Sequence, residues 1–224
     1  MNAEEAVLSV LRACACDKLP VVTLSWAQSS AGAIAAVGGA PIALSGPSSL
    51  SLTHRLRGMH AAILVGIETV LSDDPQLSVR LAAGPQPQPV VLDSRLRFPI
   101  SARLLSRLDR KPWIFHAGIA GAAAEDQLVR AGARLFKVAR GPEGLDLREV
   151  LRTLRAEGIE SVMVEGGARV LGAFMSLGCA AQAVITVSPS DITGVQGPGI
   201  PEFASTMREP YDGDLVIWGS FAPG

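Results

Sequence analysis

In Val162-Met163-Val164-Glu165-Gly166-Gly167-Ala168, an apolar run delivers one carboxylate, then two glycines, then the start of a helical pattern. Glycines let a ligand come close to the backbone, and the free N–H groups at a helix start attract a phosphate. The same residues also suit a tight strand-to-helix turn with Glu165 as its cap. The spacing is neither the G-x-G-x-x-G of a dinucleotide fold nor a P-loop, since no Gly-Lys-Ser/Thr follows. Gly66-Ile67-Glu68-Thr69-Val70-Leu71-Ser72-Asp73-Asp74-Pro75 sets a hydroxyl and paired acids after another apolar run. It reads as a shaped ligand loop, or as capping and turn residues. Asp93-Ser94-Arg95-Leu96-Arg97 joins a hydroxyl to guanidiniums, a donor set for a phosphate monoester that is equally common on solvated loops. In Thr53-His54-Arg55-Leu56-Arg57 the two arginines face different ways on a helix. His54 and His60 are either acid/base groups or simply hydrogen-bonded. Cys14-Ala15-Cys16 lacks a second half-site for zinc and reads as small apolar residues on a helix, so no metal is expected.

The elements that must hold these residues alternate. Apolar periodicity predicts a helix from Ala3 to Ala15 and a β-rich run from Val21 to Trp26. A short strand at Ala33-Ile34-Ala35 follows, then a helix opened by Ser45-Gly46-Pro47, with Ser45 as its cap, ending near Arg57 before Gly58. Further strands are expected at Ala61 to Val65, Val90 to Leu92, Trp113 to His116, Arg134 to Val138, Ser161 to Val164, Ala183 to Val187 and Leu215 to Trp218. Helices are expected at Ala122 to Ala131, Asp146 to Glu157 and Ala168 to Leu177. Alternation of this kind predicts a mostly parallel sheet covered by helices on both faces. The last two strands lack a long helix between them, which predicts an antiparallel edge. Residues 81–89 read as an exposed loop, and residues 188–211, rich in Gly and Pro, carry the weakest pattern.

Bulk properties exclude several classes. The chain has 224 residues, 48% of them hydrophobic, enough for one α/β domain with a sizeable core. A net charge of −1 gives no general attraction to nucleic acid or anionic membrane, so anion recognition must be local. No apolar run approaches the ~20 residues needed to cross a bilayer. Three cysteines without framework spacing fit a reducing cytoplasm rather than a disulfide scaffold.

Taken together, Ser45-Gly46-Pro47, Thr53-His54-Arg55-Leu56-Arg57, Ile63 through Leu77, Val91-Leu92-Asp93-Ser94-Arg95-Leu96-Arg97 and Val164-Glu165-Gly166-Gly167 resemble the reductase family of riboflavin biosynthesis. The resemblance runs from about Pro20 to Pro189, is most specific at residues 66–77, and fades toward Trp218. It implies a reductase domain over residues 20–224 behind an N-terminal helical extension (residues 1–19). The implied fold is the three-layer α/β/α arrangement of dihydrofolate reductase, usually homodimeric, and the implied cofactor is NADPH. The implied reaction turns a ribosylamino-pyrimidine 5′-phosphate into its ribitylamino form.

Carried onto this chain, the family pattern assigns Thr69 and Asp73 to the nicotinamide half of the cofactor, Ser94 to cofactor contact, and Gly166 and Gly167 to the pyrophosphate. The charge of Arg95 suggests the 2′-phosphate as its partner. Arg57, Gln76, Leu77, Arg80 and Glu165 match substrate-contacting positions, the arginines being available for the ribose phosphate. No side chain stands out as the proton donor.

Some positions depart from the pattern. The usual Ser-Leu-Asp-Gly is Ser29-Ser30-Ala31-Gly32, a common Lys is Ser25, Val-Asp-Glu is Ala180-Ala181-Gln182, and a later Gly-Gly is Thr193-Gly194. The zinc signature of the deaminase often fused to such proteins, H-x-E with P-C-x-x-C, is absent. Two other functions compatible with these residues are a same-fold reductase of a dihydropterin-like substrate and a non-catalytic nucleotide-binding protein.

Overall fold

The computed structural model describes residues 1–13, 18–40, 42–141 and 144–222. Cys14, Cys16 and the last two residues of the expected first helix lie outside them. Helices are α1 (Ala3–Ala13), α2 (Pro47–Met59), α3 (Ile67–Asp73), α4 (Arg103–Ser106), α5 (Ala122–Arg130), α6 (Leu147–Ala156) and α7 (Ala168–Leu177). Strands are β1 (Val21–Gln28), β2 (Ala33–Ala35), β3 (Ala62–Gly66), β4 (Gln88–Leu92), β5 (Trp113–His116), β6 (Arg134–Lys137), β7 (Arg140–Gly141), β8 (Gly144–Leu145), β9 (Ser161–Val164), β10 (Ala180–Val187), β11 (Val195–Gln196), β12 (Ser205–Tyr211) and β13 (Asp214–Ser220).

Nine strands form one sheet in the order β12-β13-β10-β1-β9-β3-β4-β5-β6. From β10 to β6 all neighbours are parallel, while β13 and β12 are antiparallel, as the missing helix before the last strand predicts. Strand alternation divides the core. In β3, Ala62 and Leu64 face α6 and α7, while Ile63 and Val65 face the layer that contains α3, α4 and α5. On this second face, α1 and α2 cover the other half of the sheet through Ala6, Val7, Leu52, Leu56, Met163 and Trp218. The N-terminal helix is thus packed on the sheet. The result is the expected α/β/α sandwich.

Four expectations need correction. Residues 67–73 form a helix instead of a loop; it is short, and Asp74 closes it in the left-handed conformation (φ 40°). Helix α2 is capped by Gly46, not Ser45, with Pro47 in its first turn, and it runs through Gly58 to Met59. The weakly patterned region contains β12, which needs little apolar character because it is a sheet edge. Strand β4 begins at Gln88 and includes Pro89, which pairs with Ile63 of β3 before the pairing with β5 starts at Val90. The N–H that proline lacks is therefore not required by a second neighbour.

Candidate active site

In an open parallel sheet, ligands bind beyond the carboxyl ends of the strands, and here a cleft opens at those ends. It consists of two adjoining cavities of about 520 Å³ and 400 Å³, which share Glu68, Thr69, Gly167, Ala168 and Val195 as lining residues. The first holds Ser25, Trp26, Thr53, Asp73, Glu165 and Gly166; the second holds Ser94, Arg97 and a wall of Leu92, Leu145, Leu147 and Ala173.

The glycines of the cleft have a packing reason. A Cβ on Gly166 would stand 2.6 Å from Val170 Cβ, and one on Gly66 would stand 2.8 Å from Val170 Cγ2, so both let α7 sit close against the strand ends. A Cβ on Gly167 would meet nothing within 4 Å, because that position faces open space where α7 begins. No side chain caps α7, so its first turn presents backbone donors to the cleft. An open cradle at a helix start, beside a hydroxyl and a guanidinium, fits a phosphate-bearing dinucleotide.

Glu165 leaves β9 and meets Arg57 of α2 in a two-pronged ion pair, with Nε–Oε1 2.8 Å and Nη2–Oε2 2.6 Å. Both side chains are only 13% exposed. Burial weighs against the Arg57 charge, but Glu165 outweighs it and raises the guanidinium's pKa. Arg57 Nη1 also donates to the Ser78 carbonyl at 3.2 Å, fixing the segment after α3. Beside this pair, Nδ1 of the fully buried His54 accepts the Arg80 backbone N–H at 3.1 Å. Burial, then the charges of Arg57 and Arg80, lower the His54 pKa to about 4, so the ring is neutral.

The Asp93-to-Arg97 segment is shaped by Asp93, which is buried and accepts the Phe98 N–H at 2.8 Å and the Arg95 N–H at 3.4 Å. Burial raises the pKa of this carboxyl. Leu96 turns the chain through the left-handed region (φ 52°). The turn brings Ser94 and Arg97 to the cleft; Arg95 is exposed and absent from the cleft lining.

A roof comes from β2 and β11. Gly194 approaches the backbone of β2 so closely that a Cβ would lie 2.1 Å from the Ala35 carbonyl oxygen. Ser29 Oγ donates to the Ile192 carbonyl at 2.7 Å, and Ser30 Oγ to the Ser190 carbonyl at 2.8 Å. The departing Ser29-Ser30-Ala31-Gly32 segment is thus tied by hydroxyls to Ser190 and Ile192, just before Thr193-Gly194.

Thr69, Asp73, Ser94, Glu165, Gly166 and Gly167 converge on the cleft, with Arg57 joined through Glu165. Other expected residues do not line it. Leu77 is a core side chain, 3% exposed, at φ 47°. Gln76 lines a separate cavity with Arg103 and Arg107, and the exposed Arg80 meets the site region through its backbone. Trp26, buried at the floor and donating from Nε1 to Gln28 Oε1 at 2.8 Å, is not legible in the sequence as a site residue. Its scarcity as an aromatic is the only signal.

Known proteins share both the sequence and the architecture behind this geometry. The family model described as the RibD C-terminal domain matches residues 20–203. The 2,5-diamino-6-ribosylamino-4(3H)-pyrimidinone 5′-phosphate reductase of Methanothermobacter thermautotrophicus is 33% identical over 198 residues, 84% of this chain and 89% of that protein. The riboflavin biosynthesis protein RibD of Bacillus amyloliquefaciens is 34% identical over 81% of this chain, but the match spans only 49% of that longer protein. The fold is shared with Rib7 of Saccharomyces cerevisiae (TM-score 0.73, 23% identity, 92% of this chain and 91% of that one). Acinetobacter baumannii RibD is similar too (TM-score 0.74, 23% identity, 91% of this chain and 58% of that one). The chain belongs to the RibD C-terminal domain family, the reductase family of riboflavin biosynthesis.

Proposed function

We propose that this chain is a cytoplasmic, homodimeric, NADPH-dependent reductase that converts a ribosylamino-pyrimidine 5′-phosphate to its ribitylamino form. The carrying observation is the two-part cleft: a phosphate-accepting, apolar-walled cavity continuous with a polar one that contains the Glu165 carboxylate. The reductase of Methanothermobacter thermautotrophicus, whose name specifies the diaminopyrimidinone, favours that base over the aminouracil.

When bound, the reduced nicotinamide would supply a hydride to the anomeric carbon of the ring-opened imine, whose nitrogen would take a proton from solvent. The residues of this chain position and enclose. Gly166, Gly167 and the first turn of α7 would hold the pyrophosphate; Thr69 and Asp73 would flank the nicotinamide half, and Ser94 would meet the adenosine half. Glu165 and Arg57 fix one another, so the carboxylate meets the substrate without searching rotamers, which is where positioning lowers the barrier. Arg57, held by Glu165 and the Ser78 carbonyl, lends positive charge to the edge of the polar cavity, while Gln76, Leu77 and the Arg80 backbone shape the segment beside it. Ser25, Trp26 and the β2–β11 roof restrict water.

The test is NADPH absorbance with purified protein and each of the two ribosylamino phosphates offered separately. Oxidation with the diaminopyrimidinone is expected. Binding of NADPH without oxidation by either compound would replace this reading with another substrate or a non-catalytic role.

A further inference from the structure

The second cavity has an ion pair at its mouth. Arg97, from the turn after β4, donates to Glu68 in the first turn of α3, and both residues line the cavity. Arg97 is 44% exposed and Glu68 73%, so the pair is solvated and worth little. Ser94 lines the same cavity, and Leu92, Leu145, Leu147 and Ala173 give it an apolar surface for a flat purine. The cavity communicates with the polar one over Thr69, Gly167 and Ala168. A dinucleotide crossing the start of α7 therefore leaves its purine nucleoside end beside Ser94 and Arg97, and its reactive end with Glu165.

We propose that Arg97 selects the phosphorylated over the unphosphorylated nicotinamide dinucleotide, and that Glu68 is the resident anion which the 2′-phosphate displaces. This rests on the cofactor reading above and reassigns the phosphate contact from Arg95 to Arg97. A phosphate monoester carries close to two negative charges at neutral pH and matches the guanidinium fork, so it outcompetes a single exposed carboxylate. The ribose hydroxyl that NADH has at that position is uncharged and cannot take Arg97 from Glu68. Discrimination thus comes from Arg97, while its latch, the pair with Glu68, costs NADPH a weak contact and occupies the guanidinium when no phosphate is bound. Arg95 is exposed and does not line the cavity, so the contact falls to Arg97.

Binding is measured without pyrimidine substrate, by energy transfer from the protein's tryptophans to the reduced nicotinamide, with NADPH and NADH titrated separately. Arg97→Ala is expected to weaken NADPH about tenfold, the loss of one charge-assisted contact, and to leave NADH unchanged. Glu68→Gln is expected to tighten NADPH about threefold, equally without effect on NADH. Both side chains are solvent-facing, and unchanged melting temperatures confirm that the variants fold. An unchanged NADPH-to-NADH ratio in Arg97→Ala overturns the proposal, as does a loss of NADPH affinity in Arg95→Ala instead. Weaker NADPH binding in Glu68→Gln removes the latch and makes Glu68 a ligand-side residue. If the unmodified protein binds neither dinucleotide, the cofactor reading fails, and the role of Arg97 with it.

Discussion

Helix α2 carries His54, and His60 closes it; both rings are buried and both have pKa values lowered to about 4, yet they end in opposite circumstances. His60 donates from Nδ1 to the Leu56 carbonyl at 2.7 Å and accepts the Thr23 hydroxyl at Nε2, 2.8 Å away. Thr23 Oγ1 in turn accepts from Gln182 Nε2 at 3.0 Å, and Gln182 Oε1 accepts from Trp218 Nε1 at 2.9 Å. This neutral chain spans β1, β10, β13 and the end of α2, with every strong donor matched. His54 is matched at Nδ1 only. The Ser78 carbonyl acts on its ring from nearby, but Nε2 reaches no partner in bonding geometry among the described residues. Its neighbours are the charges of Arg57, Arg80 and Glu165. Closed, neutral polar networks belong to the fold, where an unmet group costs stability. The charged network, by contrast, adjoins the cleft through Glu165, and His54 sits behind it without lining the cleft.

The largest effect that tests this contrast comes from the charged side. Glu165→Ala strands a buried guanidinium, so it is expected to abolish most turnover and also to cost about 3 kcal/mol of stability, read by thermal unfolding beside steady-state rates. Glu165→Gln keeps the shape and part of the hydrogen bonding, so it should retain the fold while losing rate. Full activity in Glu165→Gln would take the carboxylate charge out of the chemistry.

Next in size is the pH response of the neutral side. The folded pKa of His60 is about 4 against 6.5 for the free side chain, so between those values the unfolded chain binds more protons. Stability is then complete above pH 6.5 and falls as pH drops toward 4, by up to about 3 kcal/mol for this buried ring. His54 acts in the same direction. In His60→Gln, melting temperature at pH 7 should fall while kcat/KM per folded molecule stays unchanged and part of the acid sensitivity disappears. A fall in kcat/KM would place the network in the site after all.

The smallest effect is expected from His54→Gln, whose amide can still accept the Arg80 N–H. A severalfold rise in KM for the phosphorylated substrate, with kcat nearly constant, would show that His54 positions the segment holding Ser78 and Arg80. An unchanged KM alongside a lowered melting temperature would make His54 a core residue like His60.

Much of the scaffold is legible in the amino-acid sequence, because apolar runs bounded by Gly and Pro are local signals. The strands at Trp113–His116 and Ser161–Val164 and the helix at Ala168–Leu177 fall where periodicity puts them. Helix α3 escapes the pattern because seven residues between Gly66 and Asp74 give too little period, and Asp-Asp-Pro reads as turn chemistry. Edge strand β12 escapes it because Arg208, Glu209 and Pro210 suit a strand only where one side is unpaired. In the site, Glu165-Gly166-Gly167 is legible because residues at the end of a buried strand have one place to go.

Residue order and type are enough to settle the layered architecture, the family and the segments that meet beyond the strand ends, since burial of apolar runs leaves few alternatives. Which member of each segment faces the cleft is settled only in three dimensions. At the left-handed bend of Leu96, Arg97 lines the cleft and Arg95 does not, and Leu77 enters the core while its neighbour Gln76 faces another cavity. Arg57 and Glu165 lie 108 positions apart and become one unit. Short-range patterns record how a chain buries itself, whereas orientation and partnership depend on backbone turns and distant neighbours that no local spacing encodes.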